Sequence, residues 1–257
     1  VIAAVLAVLF LLARRDPGPK RHQVPALLLV AATSVAGFPL MSAYALVHVD
    51  ASHASVLIGF IPIATAILGA VRAGERPPPA FWAASAFGSF VVLAFAFGNG
   101  DSGPNLADAW LVVASLVSAV GYAEGARLAR DMGGFRVIAW ALVFAAAPLG
   151  LLVLASPHPS FAAAPVSAWI GLVYVAVISM FFAFMAWYAG LAGAGIARGS
   201  QLQLAQPFLS VLWATLLIGE TPSPRVWFAA SAVVVSIAAA TRARKPPSPH
   251  PLATTIA

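Results

Sequence analysis

Glu124 is the only carboxylate set well inside one of the chain's apolar runs, in the stretch Gly121-Tyr122-Ala123-Glu124-Gly125. A carboxylate within a bilayer is costly and by default marks function. Here it would carry a proton or neutralise a substrate amine. Arg127 lies three residues on, close to the end of the run, and an i,i+3 pair would satisfy the charge locally. Both readings stand on the sequence. Tyr122 shares a helical stripe with Ser118 and Ser115. At about 100° per residue Glu124 points roughly 160° away from that stripe, so one of the two faces a cavity and not both.

A second polar set, Ser200, Gln203, Gln206, Ser210 and Trp213, recurs at helical spacing along another apolar run. Glutamines within a membrane bind a polar substrate, line water or tie helices together. Tyr44, Trp187 and Tyr188 sit where they would either stack on a substrate or anchor helix ends at the interface. Pro62 and Pro207 each free a backbone carbonyl, as a hinge or as a static kink. The parts of an enzyme are missing from the chain. There is no cysteine, no HExxH, no pair of carboxylates within the apolar runs, and the histidines lie in loops. Neither GxxxxGK[ST] nor GxGxxG opens a helix. The expectation is a non-enzyme without cofactor or metal.

These residues need elements to hold them, and composition says which. Of 257 residues, 61% are hydrophobic and 9% charged, against about 25% charged in a soluble domain; mean hydropathy is +0.94. The fold class expected is an all-α polytopic membrane protein. A helical span takes about 17–25 mostly apolar residues, because backbone groups must pair internally in hydrocarbon. Candidate spans are Val24–Val47, Ala54–Val71, Phe81–Phe97, Leu106–Ala129, Val137–Ala155, Ser167–Leu191, Ser200–Ile218 and Val226–Ala240. With Val1–Ala13, read as a span cut short at its N-terminus, they make about nine transmembrane helices. Alternating from a cytoplasmic Arg14–Arg21 loop puts nearly every Lys and Arg inside, and with them the C-terminus. The localisation expected is the cell (inner) membrane. The net charge of +6 thus answers to an anionic leaflet rather than to nucleic acid.

Ser55 to Trp82 and Ser200 to Trp227 superpose without gaps at an offset of 145, pairing Pro62 with Pro207 and Gly74-Glu75 with Gly219-Glu220. The two copies are five spans apart, so they cross the membrane in opposite senses. This is an inverted-topology repeat, a recurring plan of secondary transporters with the substrate near the midplane. Glu75 and Glu220 end their helices and are expected to meet N-terminal amides of the next helix. His53, beside Asp50, reads as a loop residue. Gly37, Gly121 and Gly125 are expected to let helices pack closely.

Gln206-Pro207 with Gly219-Glu220, the partner Pro62 with Gly74-Glu75, and the paired layout resemble EamA-type members of the drug/metabolite transporter superfamily. So do His53–Pro62 and Ala186-Trp187-Tyr188. The resemblance covers essentially the whole chain and implies a five-plus-five helix plan, here without its first helix. It gives a first repeat at 1–97, a second at 106–240 and a basic, proline-rich tail at 241–257. It further implies transport or export of small polar metabolites, amino acids among them, by alternating access without ATP hydrolysis. Proton coupling through Glu124 and uncoupled exchange or facilitation both stay open; the contrasting class is an intramembrane enzyme, and a pore or non-transporting scaffold is a third. The partners implied are a small-molecule substrate and membrane lipid, with no nucleic acid; a homodimer is compatible with them.

Overall fold

The computed structural model describes residues 1–48, 58, 61–97, 106–156, 164–206, 208, 209, 212, 213, 216 and 224–243. Ser210, Pro207, His53, Asp50, Glu220 and the tail beyond 243 lie outside the described residues.

Apolar runs with few breakers fold into helices because each backbone N–H and C=O then finds its partner within the run. Nine helical elements follow along the described residues: α1 (Ile2–Ala13), α2 (Arg21–Leu46), α3 (Ile61–Arg72), α4 (Pro79–Phe97), α5 (Leu106–Met132), α6 (Gly134–Ala155), α7 (Val166–Ala194), α8 (Ile196–Ser200) and α9 (Pro224–Arg242). The α-helix of α8 continues as a 3-10 stretch over Gln201–Ala205. Four elements are long and apolar enough to cross a bilayer: α2, α6, α7 and the Ala109–Met132 part of α5. The protein is an all-helical, multi-pass membrane protein.

The duplication reappears in three dimensions. Shifted by 145, the bounds of α4 become 224–242, which are the bounds of α9. The same shift carries α2 onto the first 26 residues of α7. Both members of that second pair loosen into π-helix in their middle, at Ala31–Gly37 and at Tyr174–Ala183. α4 and α9 pack along each other, and Ser236 donates its hydroxyl hydrogen to the Ala84 carbonyl at 2.6 Å.

The central helix is α5, against which α2, α3, α6 and α7 pack. Small residues set those distances. A Cβ on Gly121 would strike the Ser34 and Thr33 hydroxyls of α2, and one on Gly125 would strike the Tyr188 ring of α7. Tyr188 is fully buried, its hydroxyl donating to Ser34 Oγ at 3.0 Å. It serves the core, not a cavity. Gly133 (φ +82°) and Gly195 (φ +91°) each link two helices through one residue, in a region open chiefly to glycine.

The expected span from Ser200 needs a correction at its start. Helix begins at Ile196, directly after the Gly195 turn. Sequence patterning placed the start late because Ile196–Gly199 carries Arg198, which lies at the helix end and donates to the Ala243 carbonyl.

Candidate functional site

The chain after α8 carries Gln203 and Gln206 three residues apart, and α5 and α7 face them with aromatic rings. Between them lies a cavity of about 460 Å³. Tyr122 comes from α5, Ser179, Phe184 and Trp187 from α7, and Gln203, Gln206 and Trp213 from the chain after α8. The Tyr122 ring stands edge-on to Trp187 with centroids 5.6 Å apart and lies 6.0 Å from Phe184. No charged side chain is among the described lining residues.

Two polar atoms there have no partner among the described residues although both are buried: the Trp187 indole N–H and the Gln203 side-chain carbonyl oxygen. One is a donor and the other an acceptor. A buried polar atom left without a hydrogen bond costs about 1–3 kcal/mol, so this pair is the place where a polar guest would gain most. The volume falls within the roughly 300–1,000 Å³ typical of small-molecule sites.

Sequence reasoning named Tyr122, Trp187, Gln203, Gln206 and Trp213, and the fold gathers these around one space. It missed Ser179, Phe184 and the apolar lining of Leu202 and Leu209. Ser179 sits in the π-helical stretch of α7. Such bulges are frequent at functional sites, but nothing in the local sequence YVAVISMFFA announces one. Tyr44 is not brought in: its half-exposed ring lies against His48 and Trp110. Pro62 is buried near the start of α3, and its carbonyl stands 3.0 Å from Ser200 Oγ.

Glu124 points away from the cavity, as its angle from Tyr122 on α5 requires. It is 2% exposed and carries a guanidinium on each oxygen. Arg127 Nη2 donates to Oε1 at 2.6 Å, and Arg72 of α3 donates to Oε2 at 3.2 Å. The i,i+3 partner was legible in the sequence; the one 52 residues away was not. Glu75, expected to meet the next helix, instead accepts the Ile196 and Ala197 N–H groups, each at 2.8 Å, together with Arg130 Nη2. The physical reason is the Gly195 turn, which brings the free amides of α8 beside the end of α3. These groups share one end of the bundle, the basic end, with the Arg136–Asp16 pair.

An apolar layer separates that end from the cavity. Ala123, Ala126, Leu191 and Ile196 are buried together there, with Tyr122 and Trp187 packed on them. On α7 the cavity residues stand 7 to 15 positions before Ala194, roughly 10–22 Å of helix. The cavity is thus at mid-depth and closed toward the basic end.

The cavity lies among apolar helices, its described lining drawn from α5, α7 and the chain after α8, as suits a membrane transporter. The profile of the EamA-like transporter family matches residues 1–97 and 105–242. The chain belongs to that family, within the drug/metabolite transporter superfamily. It is 43% identical over 95% of its length to the uncharacterized transporter YdeK of Bacillus subtilis (strain 168), covering 85% of that protein. It is 30% identical over 80% of its length to a protein named a probable terminal-alkyne amino-acid exporter in Streptantibioticus cattleyicolor, covering 69% of it. A solved crystal structure shares the fold with a TM-score of 0.76 at 21% identity, over 93% of this chain and 83% of the other.

Proposed function

We propose that the protein exports small polar metabolites of no net charge, zwitterionic amino acids among them, by alternating access. The observation that carries this reading is the cavity beside Tyr122, with its unpartnered Trp187 N–H and Gln203 carbonyl oxygen. The indole N–H offers a donor to a carboxylate or carbonyl, and the amide oxygen offers an acceptor to an ammonium or amide. The rings of Tyr122, Phe184, Trp187 and Trp213 would cover an apolar remainder. A bare ion would find no countercharge among the described lining residues. The name of the Streptantibioticus relative agrees with this class of substrate.

The basic end faces the cytoplasm in this proposal, since Lys and Arg accumulate on that side of a membrane. The described C-terminal residues lie at that end, and the membrane is the cell membrane. A cavity closed toward the basic end then belongs to a state that releases substrate outward. Loading from inside would require the Glu124 and Glu75 contacts to part. Both tie α3 to elements of the second repeat, so they act as a latch on the closed end.

Uncoupled exchange or facilitation is favoured over proton coupling by one observation: no carboxylate or histidine is among the described cavity residues. Glu124, already paired twice, belongs to the latch in this proposal. The test is transport into proteoliposomes over a panel of amino acids, with and without a pH gradient, for the wild type and Glu124→Gln. Saturable flux indifferent to the gradient in both supports the uncoupled reading. Flux that follows the gradient and loses that dependence in Glu124→Gln assigns the proton to Glu124. No saturable flux for any amino acid removes the substrate class.

A further inference from the structure

A second, larger cavity of about 880 Å³ lies at the basic end, between the loop joining α1 to α2 and the turn joining α5 to α6. Lys20, Arg21, His22, Arg130 and Arg136 line it, with Asp131 as the one carboxylate among its described lining residues. Two of the cations are already engaged, Arg136 by Asp16 and Arg130 by Glu75. Lys20 and Arg21 have no carboxylate partner among the described residues and are exposed.

The loop that presents them is held in shape. Asp16 accepts both Arg136 hydrogen bonds, the Trp140 indole N–H at 3.2 Å and the Gly18 N–H at 2.9 Å. Arg136 also donates to the Gly18 carbonyl at 3.0 Å, and Gln23 Oε1 accepts the Lys20 N–H at 2.9 Å. A loop pinned at both ends presents its cations at little entropic cost, unlike a scatter of surface lysines. Leu9 and Leu12, near the end of α1 that leads into this loop, are exposed, 57% and 69% respectively.

We propose that this cavity binds a phosphate group through Lys20 and Arg21, with Arg130 and Arg136 at its back wall. The phosphate is carried either by the headgroup of an anionic lipid, whose acyl chains would lie along Leu9 and Leu12, or by a soluble anion. The site is independent of the mid-depth cavity, and its test needs no transport.

The detergent-solubilised full chain is titrated with dihexanoyl-phosphatidylglycerol, dihexanoyl-phosphatidylcholine and inorganic phosphate, and binding is read by thermophoresis. Saturable binding of phosphatidylglycerol, weakened about tenfold by Lys20→Gln with Arg21→Gln, is the expected result. The same two charges removed as Arg14→Gln with Arg15→Gln, outside the cavity lining, should cost less than about twofold. Lipid binding without phosphate binding assigns a headgroup site, and equal binding of inorganic phosphate assigns a soluble anion. Failure of both anionic probes to saturate overturns the proposal. Equal weakening by the two double variants, or phosphatidylcholine binding as tightly, overturns it too. Melting curves in the same detergent check that each variant is folded as the wild type is.

Discussion

Glu75 and Ile196, 121 residues apart, meet at 2.8 Å where the carboxylate at the end of α3 accepts the first free N–H of α8. The second oxygen takes the Ala197 N–H, so one side chain closes the start of a distant helix. Helix starts leave unpaired amides and a partial positive charge, and a carboxylate answers both. Because α3 and α8 are far apart along the chain, this contact fastens distant segments together at the basic end.

Removing it should loosen that end. Glu75→Ala leaves two amides and Arg130 without their partner, and is expected to destabilise the protein by about 1–3 kcal/mol. Glu75→Gln, which keeps one acceptor oxygen, should cost less. The chain has no cysteine, so a single Ala123→Cys reports on the apolar layer beneath. Its labelling by a water-soluble maleimide should rise several-fold in the Glu75→Ala background. Unchanged labelling with an unchanged melting point would show that the contact is incidental.

Asp16 gives a pH dependence with a defined sign. Burial pushes its pKa up, but hydrogen bonds from Arg136, the Gly18 N–H and Trp140, with the Arg136 charge, outweigh that and hold it below the usual carboxylate range. A lowered folded-state pKa means the stabilisation is fully present above the unfolded value, about 3.9, and disappears as pH falls through the folded value. The melting point of the wild type should therefore exceed that of Asp16→Asn at pH 7. The gap should persist at pH 5, begin to shrink below about pH 3.9 and close as pH falls through the lowered folded-state value. A gap independent of pH would exclude the charge as its source.

Helix packing around α5 is tested by paired glycine substitutions. A methyl on Gly125 meets the Tyr188 ring, and one on Gly134 meets the backbone of α7 at Ala189. Overpacking of this kind costs about 1–3 kcal/mol, so both alanine variants should melt lower. A methyl on Gly150 or Gly190 meets nothing within 4 Å. There alanine should be neutral or stabilising by up to about 1 kcal/mol, since glycine within a helix carries an entropic cost. Thermal denaturation of the four variants in one detergent separates the two classes.

The pattern of what was legible follows from how far each contact reaches. The duplication, the number of helices and the shared ends of α4 and α9 lie in the order of apolar runs and turns, which is local information. The angle between Tyr122 and Glu124 is also local, since one helix fixes it. Arg72 on Glu124, and Ile196 and Ala197 on Glu75, depend on which helices become neighbours, and no spacing within either stretch encodes that. The π-helical segments are hidden for a further reason. Tyr174–Ala183 is as apolar as its surroundings, and Ala31–Gly37 departs from its own only by the small residues Thr33, Ser34 and Gly37, which do not announce a π-helix.

The mid-depth cavity yields the sharpest prediction, because its donor and acceptor can be removed singly. Trp187→Phe keeps an aromatic ring near Tyr122 and deletes the N–H with the rest of the five-membered ring. Gln203→Leu keeps bulk and deletes the amide, the carbonyl oxygen together with the NH2 group beside Tyr122. If both atoms bind substrate, each variant should raise KM for a zwitterionic substrate by about 10–150-fold, the effect of one lost hydrogen bond to a charged group at roughly 1.5–3 kcal/mol. The loss should depend on the substrate's own groups. An analogue without its carboxylate should be insensitive to Trp187→Phe, because the missing donor had nothing to meet. An analogue without its ammonium should be insensitive to Gln203→Leu. Double-mutant comparison across the three compounds, read as KM in proteoliposomes, tests both assignments at once. Equal losses for all three compounds would instead mean that the substitutions disturb packing between α5 and α7, and would take the Trp187–Gln203 pair out of substrate recognition.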